Sequence, residues 1–210
     1  MSKRNLNPSE VKEMLIAISD KIIESEELLC EADRRLGDGD HGLGMRRGFT
    51  AAKAQLEALD PKTVGQVFTT TGITLMSTMG GASGAVMGML YQSGGMALGD
   101  ADSLDAAGLS TFMTAALNGV TNLGGAKPGD KTMVDALAAA QEAAAASTDL
   151  SISDAMKAVA AGATAGMEAT EAMIATMGRA KTLGERSIGH PDPGAVSVSI
   201  MFNTASAYVG

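Results

Sequence analysis

The feature that most constrains this fold is a rhythm. Helix-length apolar stretches alternate with breaks, and every second break is a polar, glycine-rich loop. "PSEVKEMLIAISDKIIESEELLCEADRR" opens on Pro8-Ser9-Glu10, a helix-start signal. Val11, Leu15, Ile18, Ile22 and Leu29 then recur at helical spacing, with Met14 and Ile23 widening the face. A second helix is predicted from 41 or 42 to 59, where "DPKT" ends it, and a third over 65–79. After "GGASG" a fourth runs to 98, a fifth covers 104–123, and "KTMVDALAAAQEAAAAS" is a sixth with strong alanine propensity. Ser151 or Ser153 caps a seventh that runs to 177, and 178–194 has too much Gly and Pro to be regular. The last stretch, "AVSVSIMFNTASAYVG", alternates like a strand. With no partner strand in view it reads as a buried helix.

The expected fold is therefore all-α: one domain over 1–210, with about eight antiparallel up-and-down helices. Composition agrees. Aromatics are 3% of the chain and Trp is absent, against 15 Met and 26 Gly, so the core is one of small and flexible side chains rather than that of a β-sandwich. In such a bundle the first, third, fifth and seventh connections share one end. These are the glycine-rich loops 33–44, 80–84, 124–132 and 178–194, so topology gathers them on one rim.

The first of these loops, "LGDGDHGLGMRRG", places Asp33, Asp38 and Asp40 in a D-x4-D-x-D pattern, with Arg46 and Arg47 close behind. Three carboxylates on a bendable backbone are hard oxygen ligands suited to Mg²⁺ or Ca²⁺; the other reading is a solvated acidic loop of turn formers. An EF-hand is excluded, because Leu43 stands at the loop-glycine position and Phe49 at that of the closing glutamate. "GGASG" offers backbone N–H groups at a helix start, either as a phosphate cradle or as a tight helix–helix turn. "GGAKPGDKT" has Walker A glycine spacing, but Asp130 precedes Lys131-Thr132 and no strand leads in, leaving a phosphate-binding or capping loop. The last loop carries Arg179, Lys181, Arg186 and His190, either to clamp phosphate or to pair with Glu185 and Asp192 on the surface.

A net charge of −8 and a pI near 4.7 exclude a nucleic-acid surface, and an anionic ligand needs local cations here. The single Cys30 forms no internal disulfide and fits a reducing compartment as a small buried residue. No apolar signal core or membrane span is visible, so a cytoplasmic location is expected.

Four motifs then coincide: D-x3-GDGDHG (33–42), GGASG (80–84), GDKTMVDAL (129–137) and GRA-x2-LGERSIGH-x-DPGA (178–195). In this order, and over nearly the whole chain, they resemble the L subunit, or nucleotide-binding domain, of dihydroxyacetone kinases. That resemblance implies a closed eight-helix barrel with nucleotide and metal at one end. It implies two Mg²⁺ on Asp33, Asp38 and Asp40, and bound ADP or ATP contacted by His41, Gly42, Leu43, Gly44, Ala82, Ser83, Gly124, Met133, Arg179, Asp192, Pro193 and Gly194. Arg179 is the expected catalytic residue, stabilising charge on the transferring phosphoryl group. Charge shows the need for metal: three carboxylates (about −3) facing ATP (about −4) repel, and two Mg²⁺ (about +4) relieve most of that.

The resemblance further implies a ketose kinase subunit that is half an enzyme. Its sugar is held as a hemiaminal by a separate K subunit. The nucleotide is either exchangeable ATP or resident ADP recharged by a phosphoryl-carrier subunit of the phosphoenolpyruvate-dependent system. Its alternative class is a nucleotide-sensing regulatory subunit that binds a transcription regulator. Gly44 stands where many members have Asn, Ala85 where Pro is frequent and Thr182 where Tyr is frequent, which leaves the sugar open between dihydroxyacetone and a relative such as erythrulose.

Overall fold

The computed structural model describes residues 3–210. Among the described residues there are nine α-helices and no strand: α1 (Pro8–Glu24), α2 (Glu26–Arg34), α3 (His41–Ala58), α4 (Val64–Thr78), α5 (Gly81–Leu98), α6 (Ala106–Gly124), α7 (Met133–Ala145), α8 (Ile152–Ala169) and α9 (Pro193–Val209). Eight of them close a ring in the order α1, α3, α4, α5, α6, α7, α8, α9, with α9 packed back on α1. The expected all-α up-and-down barrel is what forms. The additional helix, α2, packs on α3 and α9.

Four local differences from the sequence expectation have physical causes. The first predicted helix breaks in two at Ser25, whose φ/ψ of −88°/9° leaves the helical region while its hydroxyl donates to Lys21 O at 2.7 Å. Glu26 and Glu27 follow at the new N-terminus, where the helix dipole favours acids. "GGASG" is not a loop: Gly80 and Gly81, both at positive φ, make the turn, and Ala82 onward is already helix. The seventh predicted helix stops at Ala169 rather than 177, because Thr170 turns its hydroxyl back to Met167 O and a 3-10 turn follows. The segment expected to be irregular holds short 3-10 turns over Arg179–Ser187, kinked at Gly184.

The strand-like Val-Ser alternation lies inside α9. Ser197 and Ser199 are buried there, and Ser197 Oγ donates to Pro193 O one turn back. The barrel interior is filled. Phe49, Phe68, Tyr91 and Phe112 pack together, Phe68 and Phe112 with ring centroids 4.4 Å apart, and the Tyr91 hydroxyl donates to Met201 Sδ. The void left beside them measures about 20 Å³. The glycine content lets walls touch: a Cβ on Gly72 of α4 would sit 2.5 Å from Gln92 N and 2.6 Å from Gly88 O of α5. No helix among the described residues is long and apolar enough to cross a membrane.

Candidate functional site

Alternation of direction puts the N-termini of α3, α5, α7 and α9 at one end, together with the C-termini of α2, α4, α6 and α8. The four connections there surround a cleft of about 650 Å³, a volume usual for small-molecule sites. Its walls include Asp33, Asp38, Asp40, His41, Leu43, Gly44, Ala82, Ser83, Gly124, Met133, Arg179, Asp192, Pro193 and Gly194. Of the residues singled out from the sequence, Gly42 does not line it, and of the last loop's basic residues only Arg179 does, while Lys181, Arg186 and His190 do not. Gly42 is buried against α2, where a Cβ would meet Glu26 O at 2.1 Å and Cys30 Sγ at 2.7 Å. It sets how closely α2, and with it Asp33, lies on α3.

The acid loop is short because Asp33 lies in the last turn of α2, which ends at Arg34, and His41 starts α3. Gly37 N–H donates to Asp33 O at 2.5 Å, and Gly39 takes φ 79°. The curl brings one carboxylate oxygen from each of Asp33, Asp38 and Asp40 within 4.8 Å of the others. Asp33 Oδ2 accepts from His41 N at 3.1 Å, whereas Asp40, at the N-cap of α3, uses no side-chain cap bond. The Asp40 carboxylate is thus not consumed by its own helix. This hard oxygen set fits a divalent cation such as Mg²⁺. His41 stands behind it with Nε2 2.8 Å from Ser197 Oγ, a hydroxyl that also lies 3.1 Å from Pro193 O. Burial pushes the imidazole below its ordinary pKa, against the pull of Asp33.

Across the cleft α5 begins with Gly80 as N-cap and has no side-chain cap, so the first-turn N–H groups at Ala82 and Ser83 point their dipole end at the cleft. Such a terminus receives anions. Arg179 forms an exposed ion pair with Asp38, its side chain 67% accessible, so it is free to exchange that partner for a ligand oxygen. Asp192 caps α9 by accepting from Ala195 N at 2.8 Å. Burial pushes its carboxyl up to about 7, with Asp135 adding to the rise and Lys131 and the helix N–H groups opposing it.

Two cations in the lining were not singled out from the sequence. Arg47, the second arginine of "GMRRG", donates to the carbonyls of Thr78 and Met79, satisfying the end of α4 beside the Gly80 turn. Lys131 is 2% exposed and donates to Thr170 O and His190 O. Its burial lowers the ammonium below its ordinary pKa, while Asp192, Glu171 and Asp135 oppose that shift. In the sequence it stands within the GDKT motif, which reads as a phosphate-binding or capping loop and as part of the resemblance, with no role for the lysine itself.

A ring of eight helices that brings four helix N-termini and a carboxylate cluster to one rim defines a helical-barrel domain. The pattern that defines the DAK2 domain matches residues 35–207, and the chain belongs to that family. It is 38% identical to the PEP-dependent dihydroxyacetone kinase ADP-binding subunit DhaL of Escherichia coli (strain K12), over 94% of this chain and 95% of that protein. It is 36% identical to the corresponding PEP-dependent dihydroxyacetone kinase 1 subunit of Listeria innocua, over 88% of each. The fold also matches the crystal structure of the dihydroxyacetone kinase from C. freundii in complex with AMP-PNP and Mg²⁺. The TM-score is 0.73 at 23% identity, covering 98% of this chain and 35% of that one, about a third of its length.

Proposed function

We propose that this chain is the nucleotide-binding subunit of a two-component ketose kinase, working with a separate K subunit that presents the sugar. The observation that carries this reading is the convergence of the Asp33, Asp38 and Asp40 carboxylates at a cleft whose opposite wall is the uncapped N-terminus of α5. Two Mg²⁺ held on the three aspartates would supply positive charge that cancels part of the polyphosphate charge. The chain's own groups do the rest. N–H groups at Ala82 and Ser83 bind phosphate oxygens; His41, Leu43, Gly44, Gly124, Met133 and the Asp192-Pro193-Gly194 turn wall the nucleotide. Arg179, released from Asp38, meets the negative charge of the phosphoryl group in transfer.

The E. coli and Listeria relatives are both named PEP-dependent, ADP-binding subunits. The resident nucleotide here is accordingly ADP, recharged by a phosphoryl-carrier subunit, and the sugar is dihydroxyacetone or a close ketose such as erythrulose. Denaturing the purified chain and identifying what it releases tests this: stoichiometric ADP that survives dialysis is the expected result, and an empty, freely exchanging site refutes residence. Asp38→Ala tests the metal role. Calorimetry should show Mg-ADP affinity lowered at least about 100-fold, because even outer-shell changes cost metal sites 10–100-fold. Unchanged affinity would remove the basis of the reading.

A further inference from the structure

Lys131 is the one non-glycine residue at positive φ among the described residues, at 60°. A left-handed lysine is strained, and glycine would hold that backbone shape at no steric cost. Its side chain is also among the largest that are fully buried. A strained backbone and a desolvated ammonium at the same residue call for a purpose, and the hydrogen bonds show one.

The last rim connection leaves the barrel after Thr170 and returns at Asp192. The Lys131 ammonium donates to a carbonyl at each foot: Thr170 O, and His190 O at 2.6 Å. The feet are joined again by Gly189 N to Glu171 O at 2.7 Å and Asp192 N to Thr170 Oγ1 at 2.9 Å. Within the excursion, Ala175 N donates to Ser187 Oγ, and Thr176 Oγ1 donates to Asp130 Oδ1 at 2.6 Å. Asp130 is the neighbour of Lys131, so one dipeptide of the α6–α7 connection holds the excursion at its feet and again at Thr176. Arg179 stands three residues beyond Thr176, its guanidinium on Asp38 of the acid loop.

We propose that Lys131 is a positioning residue: its buried ammonium clamps both feet of the 170–192 connection and thereby fixes where Arg179 stands against the acid loop. The clamp is a property of the free chain; its consequence for nucleotide binding rests on the function proposed above.

Two variants separate the ammonium from the backbone shape. Lys131→Gly relieves the φ strain and removes the donors, and Lys131→Met keeps the length and removes the donors. In both, amide hydrogen exchange at Ala175, Thr176, Gly189 and Asp192 should quicken about tenfold, the order expected for losing a charged donor, while amides in α4 and α5 keep their protection. Wild-type exchange in Lys131→Gly would mean that the backbone shape mattered and the ammonium did not, and would overturn the proposal. The second readout is a double-mutant cycle on Mg-ADP affinity. Lys131→Gly should weaken binding about tenfold when Arg179 is present and less than about twofold in an Arg179→Ala background. Equal losses in both backgrounds would overturn action through Arg179. Failure of the wild-type chain to bind Mg-ADP would defeat the nucleotide reading and this cycle with it, while the exchange result still judges the clamp.

Discussion

The two ends of the barrel are made from the same helices and finished differently. At the closed end α1, α4, α6 and α8 begin, and each N-terminus is capped by a side chain: Asn7, Thr63, Asp105 and Ser151. The chain there is further tied by the Leu6–Leu104 backbone pair and by Val64 N to Ala101 O at 2.9 Å. At the open rim α7 and α9 have caps, in Thr132 and Asp192, but α3 and α5 begin at Asp40 and Gly80 with none. Eight of the ten glycines at positive φ, 39, 80, 81, 125, 129, 178, 184 and 189, are in the rim connections. At one end every helix start is capped by the residue that precedes it; at the other, the α5 start has no side-chain cap and the Asp40 carboxylate makes no cap bond. Under the proposed function, stability and function occupy opposite ends of one ring, and each prediction below tests that division.

The largest effect should come from Asp40→Ala. The side chain makes no cap bond, so its loss costs the fold little and removes acid–acid repulsion. Melting of the free chain should be unchanged or slightly higher, while Mg-ADP affinity by calorimetry falls at least about 100-fold. A fall in melting temperature with unchanged affinity would make the acid loop a structural cap and erase the contrast between the ends.

The mirror experiment is Asp105→Ala at the closed end, where the carboxylate accepts from Gly108 N at 2.7 Å. Loss of such a cap costs about 1 kcal/mol, which for a domain of this size lowers the melting temperature by roughly 2–4 °C. Mg-ADP affinity should not move. Coupling between this cap and affinity would show that the ends communicate through the helices.

Much of this contrast was legible in the sequence, because it rests on periodicity and parity. Counting connections placed the four glycine-rich loops on one rim without any coordinate, and the D-x4-D-x-D spacing identified the carboxylates that converge. Three things were hidden, each for a physical reason. The Ser25 break was masked because apolar residues keep their helical spacing on both sides of it, and a bent chain can bury them as a straight one does. The early end of α8 was masked because Met173, Ile174 and Met177 continue the apolar pattern, yet Ile174 is exposed and Met177 lines the cleft. Lys131 was hidden because burial of a lysine depends on acceptors at Thr170 and His190, far along the chain, which no local pattern reports.

Asp192 is an ionisable rim cap that also lines the cleft, and pH should expose its double position. Its folded carboxyl is raised to about 7 from an ordinary value of 3.8, so ionising it disfavours the folded state. The sign follows. The stabilisation from this group is complete below pH about 4 and is lost as pH rises through about 7. Asp192→Asn keeps an oxygen for Ala195 N and removes the titration. The melting temperature of the variant minus that of wild type, measured on the free chain, should climb from pH 4 to 7 and then level off. A flat difference would mean that Lys131 and the helix N–H groups already neutralise the carboxylate, making this cap like those of the closed end.

The smallest expected effect is at Gly44, in the first turn of α3 on the cleft wall. A Cβ there would have Met79 O at 3.9 Å as its nearest neighbour, so a side chain fits without displacing anything. Gly44→Asn replaces a residue poorly suited to a helix interior by one a few tenths of a kcal/mol better, so the melting temperature should hold or rise by about 1 °C. The new amide would stand beside the acid loop with N–H donors near the phosphates. One added neutral hydrogen bond is worth about 0.5–1.5 kcal/mol, so Mg-ADP affinity should rise roughly twofold to tenfold. Weaker binding would mean that the nucleotide presses directly on the α3 backbone at this position. The open rim would then use its bare glycine as it uses its uncapped N–H groups, as room and donors kept for the ligand.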